Sequence, residues 1–314
     1  MKLRTILITL AILLIVGFFA CRKNTVQPDI YAYDQQQIQA YIAANGITGM
    51  QKDTTGKSKG QDTTGIWYKI ITPGNPNDTL GYTDGVAYVY TQKSFDNKYV
   101  LSDTILDHFQ GYVGHIAPTG LMLAMHNILK YNGGKMRVLI PSHIAYGVSG
   151  AGTGSSTVTN GRIAGNQCLD YTINTISNQS AYDQLVIANY MKANSLTGYT
   201  QTADGLWYKI TTAPTGTNHI SLNSIVTLNY TGSLFNGTVF DNTYATTTTT
   251  FADLSELTQG FQEGLLTLGK GGGSISLIIP SALGYGTVST GATGGTIPAN
   301  SCLRFEVTVT DVTN

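Results

Sequence analysis

Apolar and polar positions alternate along residues 226–231: Val226, Leu228 and Tyr230 stand against Thr227, Asn229 and Thr231. A period of two predicts a half-buried strand. Phe235-Asn236-Gly237 then supplies a hairpin turn, since Asn-Gly tolerates the positive φ of tight turns. The chain returns through Thr238-Val239-Phe240 and presents an acid, Asp241, directly after an aromatic. A carboxylate beside an aromatic at a strand end marks a candidate site. Near the C-terminus Leu303, Phe305, Val307 and Val309 share one face, opposite Arg304, Glu306 and Thr308, and predict another strand. Residues 274–279 read as a strand and 261–268 as a short helix. Helical spacing appears in residues 33–42, where Ile38, Tyr41 and Ile42 form an i, i+3, i+4 stripe. Asp34, with Gln37 three residues on, is the expected cap, and Asn45-Gly46 the stop.

Much of this pattern occurs twice. Ile187, Tyr190 and Met191 stand where Ile38, Tyr41 and Ile42 stood, 149 residues on. Ile66-Trp67-Tyr68-Lys69-Ile70 returns as Leu206-Trp207-Tyr208-Lys209-Ile210 at an offset of 140. The change is absorbed by the polar stretch 52–64, nine residues longer in the first copy. Ile140-Pro141 and Tyr146-Gly147 return as Ile279-Pro280 and Tyr285-Gly286 at an offset of 139, and Asn166-Gln167-Cys168-Leu169 as Asn300-Ser301-Cys302-Leu303 at 134. Solenoid repeats run about 20–50 residues. A period this long predicts two whole domains, each with its own core. Mostly antiparallel strands with one central helix give an α+β fold.

Composition narrows the function. Eighteen Lys and Arg balance eighteen Asp and Glu, and charged residues are only 11% of the 314. That balance argues against nucleic acid, whose phosphates require a basic face. The five histidines, His108, His115, His126, His143 and His219, make no metal-ligand spacing. Cys168 and Cys302 open equivalent strands, with no activating neighbour in sequence, and are expected to be structural. An oxidising compartment would permit a disulfide, but their places in separate copies argue against one.

Lys2 and Arg4 precede an apolar run over residues 5–20, short for a membrane span and suited to a secretory signal. Phe18-Phe19-Ala20-Cys21 resembles a bacterial lipobox. The resemblance implies cleavage before Cys21, lipid on its sulfur, and a protein at the cell envelope, facing the periplasm or on the outer membrane. An ordinary signal peptide, or an uncleaved anchor with a coincidental cysteine, are the alternatives. The domain reading is a signal at 1–20, a lipidated tether at 21–32, a degenerate first domain at 33–178 and a second domain at 179–314.

The second copy resembles the FKBP family of peptidyl-prolyl cis-trans isomerases. The match rests on Val226-Thr227-Leu228-Asn229-Tyr230-Thr231-Gly232, Asn236-Gly237-Thr238-Val239-Phe240-Asp241, Gly260-Phe261-Gln262-Glu263-Gly264-Leu265, Leu283-Gly284-Tyr285-Gly286 and Ile297-Pro298-Ala299-Asn300-Ser301-Cys302-Leu303-Arg304-Phe305, in family order. The resemblance implies two FKBP-like domains, each a curved antiparallel sheet wrapped on a short helix and preceded by another. It also implies a groove for proline-containing polypeptides, without cofactor or metal. Tyr230, Phe240, Asp241, Phe261 and Tyr285 would carry catalysis. Phe305 would line the pocket, Leu257 and Thr258 would bring an apolar wall and a backbone N–H, and Ile297 would close the rim. Phe261 stands where many family members have Trp. In the first copy Tyr90, Val100, Leu101, Leu121, Tyr146, Ile163 and Tyr171 stand at the places of Tyr230, Phe240, Asp241, Phe261, Tyr285, Ile297 and Phe305. The acid and two aromatics are gone, so that copy is expected to fold alike and be catalytically weak or inactive. The alternative function is a non-catalytic protein-binding or chaperone module. The 246–250 threonine run reads as a solvated connection. Oligomeric state is not legible.

Overall fold

The computed structural model describes residues 29–55, 64–101, 108–244, 248–292 and 294–314. The expected signal segment, the lipobox and Cys21 lie outside them.

The first half carries strands β1 (Gln51–Lys52), β2 (Trp67–Thr72), β3 (Gly85–Ser94), β4 (Val100–Leu101), β5 (His108–Tyr112), β6 (Lys135–Ile140) and β7 (Leu169–Thr175). They form an open antiparallel sheet in the order β1-β2-β6-β7-β3-β4, with β5 also on β3. The second half carries β8 (Thr200–Gln201), β9 (Trp207–Thr212), β10 (Ile225–Leu234), β11 (Val239–Asn242), β12 (Thr249–Phe251), β13 (Gly273–Ile279) and β16 (Leu303–Thr313). Their order is β8-β9-β13-β16-β10-β11, with β12 on β10. The two orders correspond strand for strand, so the repeat in the sequence is a repeat of topology. The second half adds a hairpin, β14 (Thr290–Ala292) with β15 (Gly295–Ile297). The threonine run is only partly a connection: Thr249 and Thr250 pair with Leu228 and Thr227 in β12.

Each sheet is covered on both faces. One face of β16 buries Leu303, Phe305, Val307 and Val309 against helix α4 (Gln259–Leu268), as the alternation requires. Phe261, Leu265 and Leu268 are the buried stripe of α4, and each contributes about 1.5–3 kcal/mol. Its counterpart in the first half, α2 (Thr119–Leu123), runs on into a π-helical turn, Ala124–Leu129. A π-turn accommodates one extra residue in a helix. Residue 121 corresponds to 261 at an offset of 140, and 140 to 279 at 139. The extra residue of the first copy therefore falls in this stretch.

The opposite faces are covered by α1 (Ile30–Ala44) and α3 (Gln179–Ala193). Ile38 and Tyr41 pack on Leu139 and Cys168, and Ile187 on Phe235, Ile278 and Cys302. Tyr41 stacks on Phe95 and Tyr190 on Phe235, both at 3.9 Å between ring centres. Cys168 and Cys302 are buried and free.

Asp34 does not cap α1. The helix starts earlier, and Asp29 caps it by accepting from the Tyr31 N–H. Asp34 is fully buried, where its carboxylate accepts from the Ser142 hydroxyl at 2.7 Å and faces the His143 Nδ1 at 2.7 Å. Burial pushes this carboxyl up. The His143 ring, the Ser142 hydroxyl and the His143 N–H together outweigh burial and hold it below the usual range. Asp183 is its counterpart in α3, accepting from the Ser281 N–H at 2.8 Å and hydroxyl at 2.6 Å. A buried carboxylate needs such partners, so each acid pins its leading helix to the tight turn that follows β6 or β13.

Candidate active site

The β10–β11 hairpin turns as the Asn-Gly pair predicts. Gly237, at φ +89°, follows a turn closed by its N–H on the Leu234 carbonyl at 2.9 Å. Gly232 pairs with Asp241 but Ser233 pairs with Val239, so Phe240 is one residue too many on its strand. Such a bulge re-aims side chains. Phe240 enters the core, only 2% exposed, and Asp241 stays half-buried beside it. Gly232 makes this possible. A Cβ there would lie 2.6 Å from Phe240 Cε2 and 2.8 Å from Phe305 Cε1.

These residues surround a cavity of about 150 Å³. Phe261, in the first turn of α4, meets Phe305 edge-on at 5.0 Å and Tyr230 edge-on at 5.7 Å. Phe240 meets Phe305 edge-on at 5.6 Å. Edge-to-face contacts at these distances suit the ring quadrupoles and fix the rings. The Tyr230 hydroxyl donates to Asp241 Oδ2, and the Asn242 N–H donates to Oδ1 at 2.9 Å. Both carboxylate oxygens are therefore held, and Asp241 in turn fixes the Tyr230 ring.

Burial, then the hydrogen bond and charge of Asp241, push the Tyr230 phenol above its ordinary value. Burial and the Asp241 charge do the same to Tyr285. Both phenols stay protonated donors at neutral pH. Tyr285 is 40% exposed at the mouth, and its hydroxyl has no hydrogen-bond partner among the described residues.

The cavity thus gathers Tyr230, Phe240, Asp241, Phe261, Tyr285 and Phe305, with Leu257 and Thr258 on one wall. Ile297 does not line it; it is 1% exposed within the core. The Leu257 N–H is not available there, since it donates to the Leu254 carbonyl at 3.2 Å in a tight turn. Three further residues line the cavity: Phe251, Glu256 and Ala292. An aromatic closing a polar threonine run could have flagged Phe251 as an anchor. Ala292 carries no such signal, because the β14–β15 hairpin that brings it in is not legible as a pattern.

In the first half the same register places Leu101 opposite Gln92, as Asp241 lies opposite Gly232. Gln92 is buried where Gly232 left room, and its Nε2 has no hydrogen-bond partner. Tyr171 stands for Phe305 and is 1% exposed; burial pushes its phenol up, and the neighbouring Tyr146, the counterpart of Tyr285, adds to that shift. Among the described residues, no group of three or more His, Cys, Asp and Glu could hold a metal ion.

The residues that carry the bulged aromatic hairpin, the short helix of the floor and the tyrosine at the mouth fall within 216–310, which match the family model of FKBP-type peptidyl-prolyl cis-trans isomerases. The second half of the chain therefore carries an FKBP-type domain. Over 126 residues the chain is 40% identical to the FKBP-type peptidyl-prolyl cis-trans isomerase FkpA of Buchnera aphidicola subsp. Schizaphis graminum, covering 40% of this chain and 48% of the relative. It is 38% identical over 110 residues to the peptidyl-prolyl cis-trans isomerase Mip of Coxiella burnetii, covering 35% and 46%. The crystal structure of FkpA from Escherichia coli aligns at 33% identity and a TM-score of 0.36, covering 43% of this chain and 59% of that one. The chain spans about half the length of the curated relatives it matches.

Proposed function

We propose that the chain is a peptidyl-prolyl cis-trans isomerase, that its domains span 33–178 and 179–314, and that its working groove is the aromatic cavity of the second. The observation that carries this is a small pocket walled by five aromatic rings, with an unpartnered phenol at its mouth. An X-Pro amide rotates over a barrier of about 18–20 kcal/mol, on a scale of tens of seconds. Rotation breaks amide resonance, so the twisted state carries less charge separation than the planar one. An apolar pocket binds the twisted state better than the planar one, which is catalysis by differential binding. Phe240, Phe261 and Phe305 hold the pyrrolidine ring and exclude water. Tyr285 donates to a flanking carbonyl, and Asp241 keeps the Tyr230 wall in place. The first domain is a weak or inactive copy.

The chain acts at the bacterial cell envelope on secreted or envelope polypeptides, held by lipid on Cys21. The basic, apolar and Cys-terminated start of the sequence supports this. Labelled-lipid incorporation into wild type but not Cys21→Ala checks it.

The test of activity is an isomerisation assay on a proline peptide with the full chain and Asp241→Ala. The expected result is loss of nearly all turnover; substantial residual activity would sink the assignment. A second reading, a non-catalytic binding module, is favoured by the first copy's loss of the acid and two aromatics and by Phe261 in place of Trp. Peptide binding without turnover in the wild type would support that reading instead.

A further inference from the structure

The groove has a charge as well as a shape. Two residues lining the cavity are acids, Asp241 and Glu256, and none is Lys, Arg or His. Asp241 is occupied by the Tyr230 hydroxyl and the Asn242 N–H. Glu256 ends the tight turn Leu254–Glu256, is exposed, and directly precedes the wall residues Leu257 and Thr258. No hydrogen bond or ion pair engages its carboxylate among the described residues. Asp253, in the same turn, is also exposed and accepts from the Ser255 N–H at 2.8 Å.

The cations of this domain lie elsewhere. Arg304 is paired with Glu306 at 2.7 Å, and the Lys209 ammonium donates to the Thr197 carbonyl at 2.9 Å. Lys192 is in α3, and Lys270 bridges to His219 beyond the C-terminal end of α4. Residues 179–314 hold four Lys and Arg against eight Asp and Glu, although the whole chain is balanced. The domain's net negative charge is therefore uncompensated at the mouth.

We infer that Glu256 makes this groove select polypeptides with a lysine or arginine flanking the proline. The inference rests on the isomerase reading of the cavity and names its substrate class. The apolar rings grip the proline whatever its neighbours. A free carboxylate at the rim then attracts a cationic side chain, and Asp241 adds to the same field. Rim charges act through encounter and binding more than through the chemical step, so the effect falls on KM.

The experiment uses the full chain and proton exchange spectroscopy of three peptides that differ only beside the proline, with Lys, Gln or Glu. No coupling protease is involved, so its own charge preference does not enter. In wild type at low salt kcat/KM should rank Lys above Gln above Glu, with about a two- to fivefold step for an exposed charge pair. Glu256→Gln should bring the Lys-to-Glu ratio close to one, and Glu256→Lys should invert it. Molar salt should flatten the wild-type ratio, because screening then acts within about 3 Å. A ratio unchanged by Glu256→Gln overturns the inference. Equal turnover of all three peptides by wild type overturns it too, while leaving the isomerase reading intact. Turnover of none overturns both.

Discussion

The two halves of this chain carry the same sheet with different uses of one face. In the second, Gly232 leaves a gap that Phe240 and Phe305 fill from two sides, and the remaining space opens to solvent past Tyr285. In the first, buried Gln92 occupies the position of Gly232 and buried Tyr171 that of Phe305. The sheet order is unaffected. The fold therefore does not depend on the groove, and the groove depends on a few side-chain volumes.

The largest way to break the comparison is to give the second domain the first domain's residue. Gly232→Gln should overpack the Phe240–Phe305 contact, lower stability by about 3 kcal/mol and remove isomerase activity. Denaturant unfolding of the full chain beside the activity assay checks both; a variant of normal stability and turnover would show that the glycine is not required.

A smaller effect is expected from Asp34→Asn. The buried acid loses charge-assisted partners, and the first domain should lose about 2 kcal/mol. Because the folded carboxyl lies below its ordinary value of 3.8, its stabilisation is fully present above that pH. It is lost as pH falls through the lowered folded value. The variant should lack this acid-side dependence in thermal unfolding, and activity at neutral pH should stay with the second domain.

The smallest is Phe305→Tyr, which imports the first half's residue at this wall. A second buried hydroxyl among the rings should reduce kcat/KM by about tenfold, the equivalent of about 1.4 kcal/mol. An unchanged rate would show that the groove tolerates the first half's residue there.

Much of this was open to reading in the chain itself. Alternation gave β10 and β16, and the offsets between copies announced a repeated topology. The Phe240–Asp241 pair stood out because Val100 and Leu101 replace it. Asp34 was misread as a cap because its partners, Ser142 and His143, lie 108 and 109 residues away, beyond any local pattern. Glu256 has no signal in the sequence, since its place at the mouth comes from where Leu257 and Phe261 carry the chain next.

The π-helical turn after α2 bears on how the chain assembles. Two sheets of matching strand order in one polypeptide invite exchange, with a strand of one half entering the other during folding. The correct partner has to be recognised by fit. A helix one residue longer demands a different seat from α4, and the close Gly232–Phe240–Phe305 packing of the second half faces Gln92, Val100 and Tyr171 in the first. Such mismatches between the halves favour native over exchanged pairing.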